Sequence, residues 1–413
     1  MRFAVAQSGG PTCAINASLV GIYKAATEMS NKVHNHTPIS VLGVHNGIQG
    51  LMDEQFVDLS LVLTSEETVD LLRKTPSTAL GSCRFRLPVA EQDDSLYGKI
   101  FCVLQKHAID VLFYIGGNDS MDTVAKLSAW IARQGSDIRI IGVPKTIDND
   151  LVGTDHTPGF GSAAKYVAMT MQEVVRDSSV YRVPSVTICE IMGRDAGWLT
   201  ASTCLLRANG EEAPHLIYLP EHDFSTVQFI HDVQRKMESH RSVICAVSEG
   251  IVMPQSESYR SGASDAFGHA YLSGIGKHLE QLVRQEIGCK VRSIELNVMQ
   301  RCAAHLASAT DLDEAEAAGR YAVELAMEGK SGCMVTLQRD AGSPQYRVTC
   351  SHIAAASAAN VTRTFPATWI NEEGNDVTDE AVDYFLPLIQ GEVLPTMRNG
   401  MPVHFRLASN LCW

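Results

Sequence analysis

A chain of 413 residues with 45% hydrophobic and 20% charged side chains has the make-up of ordinary globular protein and exceeds the usual size of one core, so two domains are expected. Its formal net charge of −13 excludes a surface that holds nucleic acid or anionic lipid by bulk electrostatics, so any phosphate it binds must meet charge gathered locally. No 18 apolar residues run together and the eleven cysteines form no C-x-x-C pair, which points to a cytoplasmic protein with reduced thiols, no membrane span and neither a disulfide framework nor a zinc site.

Met1 to Ala6 passes straight into strand-like sequence, without the basic and apolar segments of a secretion signal. The run Phe3 to Ala6 precedes Ser8-Gly9-Gly10-Pro11, whose amides are uncovered, and a helix beginning near Asn16 would aim its positive end at an anion. His34-x-His36 has no third ligand nearby and reads as surface loop. Arg84 follows Gly81-Ser82-Cys83 and precedes Phe85.

The run Val111 to Ile115 leads into Gly116-Gly117-Asn118-Asp119-Ser120, where polar side chains follow the glycines as a phosphate or its magnesium ion requires. Ile138 to Val143 leads into Pro144-Lys145-Thr146-Ile147-Asp148-Asn149-Asp150. If that segment is extended, Asp148 and Asp150 share one side and raise each other's pKa, so one can take the proton of an attacking hydroxyl. The bland alternative is a turn, which Asp-Asn-Asp often is. Lys145 adds a cation at the same strand end, as phosphoryl transfer needs.

Val186 to Ile191 precedes Met192-Gly193-Arg194, Val243 to Val247 precedes Glu249-Gly250, and the shorter Ser293 to Leu296 precedes Gln300-Arg301. Pro254 to Gly268 is the longest loop, a domain boundary or a flap. A helix is expected from about Asp311 to Glu328, with Thr310 or Asp311 as cap and Gly329 as stop. Six apolar runs, each followed by a polar or Gly-bearing cluster, are the βα pattern of a parallel sheet, in which ligands gather at the carboxyl ends of strands. Arg84, Arg194, Arg292 and Arg301 near such ends suggest an anionic substrate.

Taken in order, Gly9-Gly10-Pro11, Gly81 to Phe85, Gly116 to Ser120, Pro144 to Asp150, Met192-Gly193-Arg194, Ser248-Glu249-Gly250 and Gln300-Arg301 resemble the phosphofructokinase series over nearly the whole chain. The resemblance implies the phosphofructokinase fold: α/β, with two doubly wound, Rossmann-like three-layer domains and parallel-rich sheets. It implies a phosphoryl-donor domain of residues 1–160 plus about 300–355, and a sugar-phosphate domain of about 161–299 plus 356–413. Carried over by position, Asp148, Lys145 and Arg194 are catalytic, Asp148 as the base. Gly10, Arg84, Gly117, Asp119 and Lys145 bind the donor. Thr146, Asp148, Asp150, Met192, Gly193, Arg194, Glu249, Arg292 and Arg301 bind the sugar phosphate, and Mg²⁺ is the cofactor.

Two positions separate donor classes within that resemblance. ATP-using relatives commonly have glycine where this chain has Asp119 and again where it has Lys145. A glycine leaves room for an α-phosphate and nucleoside; a carboxylate fills that room and repels it by about 4 kcal/mol at a separation of about 4 Å and an effective dielectric of about 20. Lys145 supplies a compact cation to a donor lacking an adenosine handle. The pair therefore points to pyrophosphate, and the resemblance implies fructose 6-phosphate as acceptor and a homodimer or homotetramer as the assembly.

Three departures stand out. Asn118, the one metal-ligand candidate, occupies the place of an acid that helps hold magnesium. Val298 stands where a histidine or tyrosine usually touches the sugar phosphate, and Ser185 where an arginine reaches the neighbouring subunit's substrate, although Arg292 matches the other such arginine. Sedoheptulose 7-phosphate as the sugar, an ATP-dependent 6-phosphofructokinase and a non-catalytic sugar-phosphate-binding regulatory subunit are the alternatives.

Overall fold

A strand buried on both faces needs a hydrogen-bonding partner on each edge and a helix layer on each side, and β1 (Arg2–Gln7) meets both demands. In the computed structural model, which describes residues 1–32, 39–252 and 274–407, every residue of β1 after Arg2 is buried. Parallel partners flank it: β2 (Ser40–Val44) on one edge and β4 (Val111–Gly116) on the other. Short β3 (Phe56–Asp58) adds antiparallel to β2, and β5 (Arg139–Pro144) adds parallel to β4. The second sheet is all parallel and smaller, built from β6 (Ser185–Ile191), β7 (Leu216–Tyr218), β8 (Ser242–Ser248) and β9 (Lys290–Glu295) in the order β7-β8-β6-β9. The chain then returns to the first sheet with β10 (Cys333–Arg339) and antiparallel β11 (Val348–Ala354), giving the order β11-β10-β5-β4-β1-β2-β3.

The six expected runs are all strands, β9 beginning three residues early at Lys290. Five further strands of the two main sheets lacked the signal that marked the others. β2, β3 and β7 span only three to five residues, and β10 and β11 form an antiparallel pair instead of feeding a Gly-bearing cluster. His34, His36 and the Pro254 to Gly268 loop lie outside the described residues.

Four helices frame the cleft and its supports: α1 (Ile15–Lys32), α2 (Asn118–Arg133), α3 (Phe160–Ser179) and α4 (Ala309–Met327). The cap of α4 is Ser308, whose hydroxyl accepts from Asp311 N. Asp311, expected as a cap of its own helix, turns to another one. Its carboxylate accepts from Gly159 N at 2.7 Å and Ser162 N at 3.0 Å, so it covers the first amides of α3 and joins the two helices. Phe405 and Leu407 pack on the core of the first sheet, so the segment 356–413 does not belong wholly with the second sheet as expected.

On the outer face of the first sheet α1 and α4 meet backbone to backbone. A Cβ on Gly319 would lie 2.1 Å from Ser18 O, and one on Gly21 2.1 Å from Glu316 O. No side chain fits between helices this close, so a methyl group must push them apart and disturb the core beneath. Gly319→Ala is therefore expected to lower stability by about 1–3 kcal/mol, read as a shifted urea midpoint with unchanged slope.

Candidate active site

The carboxyl ends of β1, β4 and β5 in one sheet and of β6 and β8 in the other open on a single cleft of about 400 Å³. Its first wall is Ser8–Thr12, after β1. Ser82 donates its hydroxyl to Gly9 O at 2.7 Å, which draws in the loop that carries Arg84. The amide of Ile15 is bonded to Thr12 Oγ1 at 3.0 Å and that of Ala14 at 3.3 Å, so the start of α1 is capped by Thr12 rather than left for an anion. The second wall is the start of α2. A helix leaves its first amides without internal partners, and Gly117, Asn118 and Asp119 bring that end of α2 into the cleft.

The acidic segment after β5 is a turn, not the extended stretch that would put two carboxylates on one side. Asn149 adopts φ of 54°, and its buried carboxamide fixes the turn: Oδ1 accepts from Thr157 N and Nδ2 donates to Tyr384 Oη, each at 3.1 Å. Asp148 N donates to Thr146 Oγ1 at 3.1 Å. Asp148 and Asp150 thereby both face the cleft. Burial pushes the Asp148 carboxyl up from its ordinary value, against the pull of Arg301, Arg194 and Lys145. Asp150 is raised by burial and then by the charges of Asp148, Asp195 and Asp119. Lys145 is almost wholly buried with Nζ donating to Gly10 O at 2.6 Å; burial lowers it to about 8 although Asp148 and Asp150 favour its charge.

The facing wall comes from the second sheet. Gly193 lies behind the cleft with its N–H on Glu249 Oε1 at 3.3 Å, and Ser248 Oγ donates to Gly193 O at 2.7 Å. The two loops touch so closely that a Cβ on Gly250 would lie 2.1 Å from Arg194 O. Burial lifts Glu249 to about 7. Arg194 Nε is buried without a hydrogen-bond partner among the described residues, a donor aimed at no protein group.

Thus Gly10, Arg84, Gly117, Asp119, Lys145, Thr146, Asp148, Asp150, Met192, Arg194, Glu249 and Arg301 converge as their motifs suggested. Arg292 does not. It projects from β9 and pairs with Asp177 of α3 at 2.9 Å, outside the cleft. Ser185 lies at the start of β6, the end away from the cleft, and Val298 is 59% exposed. Asn118 lines the cleft with its carboxamide engaged at both ends, Nδ2 donating to Val361 O at 2.8 Å and Oδ1 accepting from Asn360 N. Among the described residues no group of three or more His, Cys, Asp and Glu side chains makes a ready metal cage. Sequence reasoning missed Arg86, Asp195, Asn360 and Thr362. Proximity to Arg84 and Arg194 was the available signal for the first two. The other two come from a distant stretch without a motif.

The phosphofructokinase family model matches residues 2–326, nearly four fifths of the chain. The chain belongs to the phosphofructokinase family. Among relatives within it, the pyrophosphate–fructose 6-phosphate 1-phosphotransferase of Halomonas elongata is 37% identical over 408 residues, 98% of this chain and 96% of the relative. The solved pyrophosphate-dependent phosphofructokinases of Nitrosospira multiformis and Marinobacter aquaeolei superpose with TM-scores of 0.86 and 0.84, at 33% and 34% identity. They cover 100% and 98% of this chain and 97% and 95% of their own. The phosphofructokinase fold is therefore the frame that holds these strand ends together, and no helix among the described residues is long and apolar enough to cross a membrane.

The turn of Asp148 and Asp150 is braced by His156, which lies between Asp155 Oδ1 at 2.8 Å and Glu314 Oε2 at 2.6 Å. Burial alone would depress its pKa, but the two carboxylates lift it to about 9 from an ordinary 6.5. A raised folded-state pKa contributes stability that is full below the unfolded value and is lost as pH rises through the folded one. Because the depressed Lys145 contributes with the opposite sign over part of the same range, the test is the difference between two proteins: from about pH 6.5 to pH 9 the stability of wild type relative to His156→Gln should fall by roughly 3 kcal/mol, read from paired thermal midpoints.

Proposed function

We propose that this chain transfers a phosphoryl group from pyrophosphate to the 1-hydroxyl of fructose 6-phosphate, giving fructose 1,6-bisphosphate and phosphate. The two phosphoryl bonds are close in transfer potential, so the reaction runs readily in both directions and serves glycolysis or gluconeogenesis. The observation that carries the donor is the joint presence of Asp119 and Lys145 in the cleft that holds the Asp148–Asp150 turn. Near full-length similarity to proteins named for pyrophosphate supports it.

In this mechanism the acceptor's 1-oxygen attacks the phosphorus, its proton passes to Asp148, and the bridging P–O bond of the donor breaks to release phosphate. Arg84, Lys145 and Arg194 offset charge on the transferring group and its donor, Gly10 and Gly117 give backbone contacts to the donor, and Thr146 and Asp150 surround the reacting centre. Met192, Gly193, Glu249 and Arg301 hold the sugar phosphate. A divalent cation, Mg²⁺, supplies neutralising charge to the donor oxygens. Asp119 and Asp150, which both line the cleft, would hold it together with the donor's own oxygens, as magnesium prefers one or two carboxylates plus phosphate. The donor lobe comprises about 1–160 and 300–355, and the sugar lobe about 161–299 with most of the chain beyond 356. Arg292, turned away from its own cleft, would serve a neighbouring subunit in a cytoplasmic homodimer or homotetramer.

Asp148→Asn should lower kcat by roughly 10² to 10⁴ with little change in either KM, because the base is lost and the shape is kept. Unchanged turnover would remove Asp148 from the role. The double change Asp119→Gly with Lys145→Gly should weaken pyrophosphate use by at least about tenfold in kcat/KM and admit ATP. Steady-state rates with both donors, over a panel that includes sedoheptulose 7-phosphate, decide donor and sugar together; a wild-type enzyme active with ATP and inert with pyrophosphate would overturn the reading.

A further inference from the structure

Asn360 and Thr362 line the cleft although they lie beyond residue 326, where the family match ends. Asn118 holds their segment at two adjacent points, accepting from Asn360 N and donating to Val361 O at 2.8 Å. The Asn360 side chain then closes a ring. Its Oδ1 accepts from Arg86 Nη2 at 2.8 Å and its Nδ2 donates to Asp122 Oδ1 at 2.9 Å. Asp122 pairs with Lys126 at 2.6 Å, and Lys126 donates to Leu87 O at 3.1 Å, one residue from Arg86. Farther on, Thr362 bridges to Leu151 and Arg363 N donates to Asp150 O at 2.7 Å. One short strap therefore joins the helix that carries Asp119, the arginine loop at 84–86 and the turn of Asp148 and Asp150.

Two of the elements it joins bear donor-side residues, Asp119 and Arg84, and the third bears the carboxylates of the reacting centre. Asn118, whose place in the family belongs to a charged metal ligand, is spent on holding the strap. Asn360 takes φ of 59°, a left-handed conformation that asparagine tolerates better than most residues. Arg86 is a cation at the exposed rim, and Asn360 sets the direction of its guanidinium. A donor with a third phosphoryl group would have to run over this rim, displacing Asn360 or Thr362 or pulling Arg86 off its partner.

We propose that the strap gauges donor length: held by Asn118 and Asn360, it limits the donor side of the cleft to two phosphoryl groups and sets Arg86 against the departing phosphate. Asn118 and Asn360 are positioning residues; Arg86 meets the donor. The inference rests on pyrophosphate being the donor. Single hydrogen bonds at an exposed rim are worth little, so the gauge depends on the closed ring and fails when its centre is removed.

The test uses the full chain, with inorganic tripolyphosphate as the longer donor, its transfer releasing pyrophosphate, at saturating fructose 6-phosphate. In Asn360→Ala and Asn118→Ala the ratio of kcat/KM for tripolyphosphate to that for pyrophosphate should rise about tenfold over wild type, mainly through the donor KM values, with kcat nearly constant. Arg86→Ala should raise the pyrophosphate KM and leave that for fructose 6-phosphate in place. Thermal midpoints are taken alongside. An unchanged ratio in a variant still active with pyrophosphate, or equal losses with both donors and a lowered midpoint, overturns the strap alone. A wild-type chain inert toward pyrophosphate overturns the donor reading and the strap with it.

Discussion

Charge buried at the end of β5 is the condition to which the rest of the site answers. Lys145, Asp148 and Asp150 leave a strand that is buried on both sides, so their charged forms lose hydration and must be compensated by one another and by Arg194 and Arg301 from across the cleft. Lys145 is shifted down and both aspartates up, the direction that desolvation dictates for each. A parallel sheet exposes polar atoms mainly at its strand ends, which is why the charges are gathered there and not along the strands.

Such a cluster is useful only if its members cannot drift apart, and the turn that carries it is tied locally by Thr146 and Thr157. Residues far along the chain add to that. Tyr384 accepts from Asn149 and donates to Asp155 O at 2.6 Å. Arg363 donates to Thr154 O at 3.2 Å while its guanidinium lies 4.3 Å from the centre of the Trp198 ring. His156 holds Glu314 of α4, the helix whose Asp311 covers the start of α3. The geometry of two carboxylates is therefore maintained by side chains from α4, from the stretch after β6 and from the C-terminal segment.

Much of this was legible in the sequence because the chemistry sits on short runs directly after apolar strands. Twelve expected residues meet in one cleft for that reason. What was not legible falls into two physical kinds. Short strands such as β3 and β7 offer too few residues for periodicity to speak, and the β10–β11 pair turns back on itself without a functional cluster to announce it. Contacts made across long sequence distances leave no local trace: nothing near Asn118 foretells Asn360, and nothing near Arg292 foretells Asp177. Asn149 belongs between the two kinds. Its tolerance of a left-handed backbone argued for a turn, but only Tyr384 and Thr157 explain why the turn aims both aspartates inward.

The balance of charge in the cleft bears on how it receives two polyanions. Arg84, Arg86, Lys145, Arg194 and Arg301 face Asp119, Asp148, Asp150, Asp195 and Glu249, five cations against five carboxylates, within a chain of net charge −13. The side chains of the site are thus near neutrality when all are ionised, with no excess of positive charge with which to hold a diphosphate and a sugar phosphate together. Each arriving anion raises the pKa of the carboxylates beside it. Burial holds both Glu249, at about 7, and Asp148 above the ordinary carboxylate range, Asp148 against the pull of Arg301, Arg194 and Lys145. The acids on the two facing walls are thus both shifted toward their neutral forms by burial, and the cations beside Asp148 oppose that shift at the carboxylate that accepts a proton in the proposed transfer.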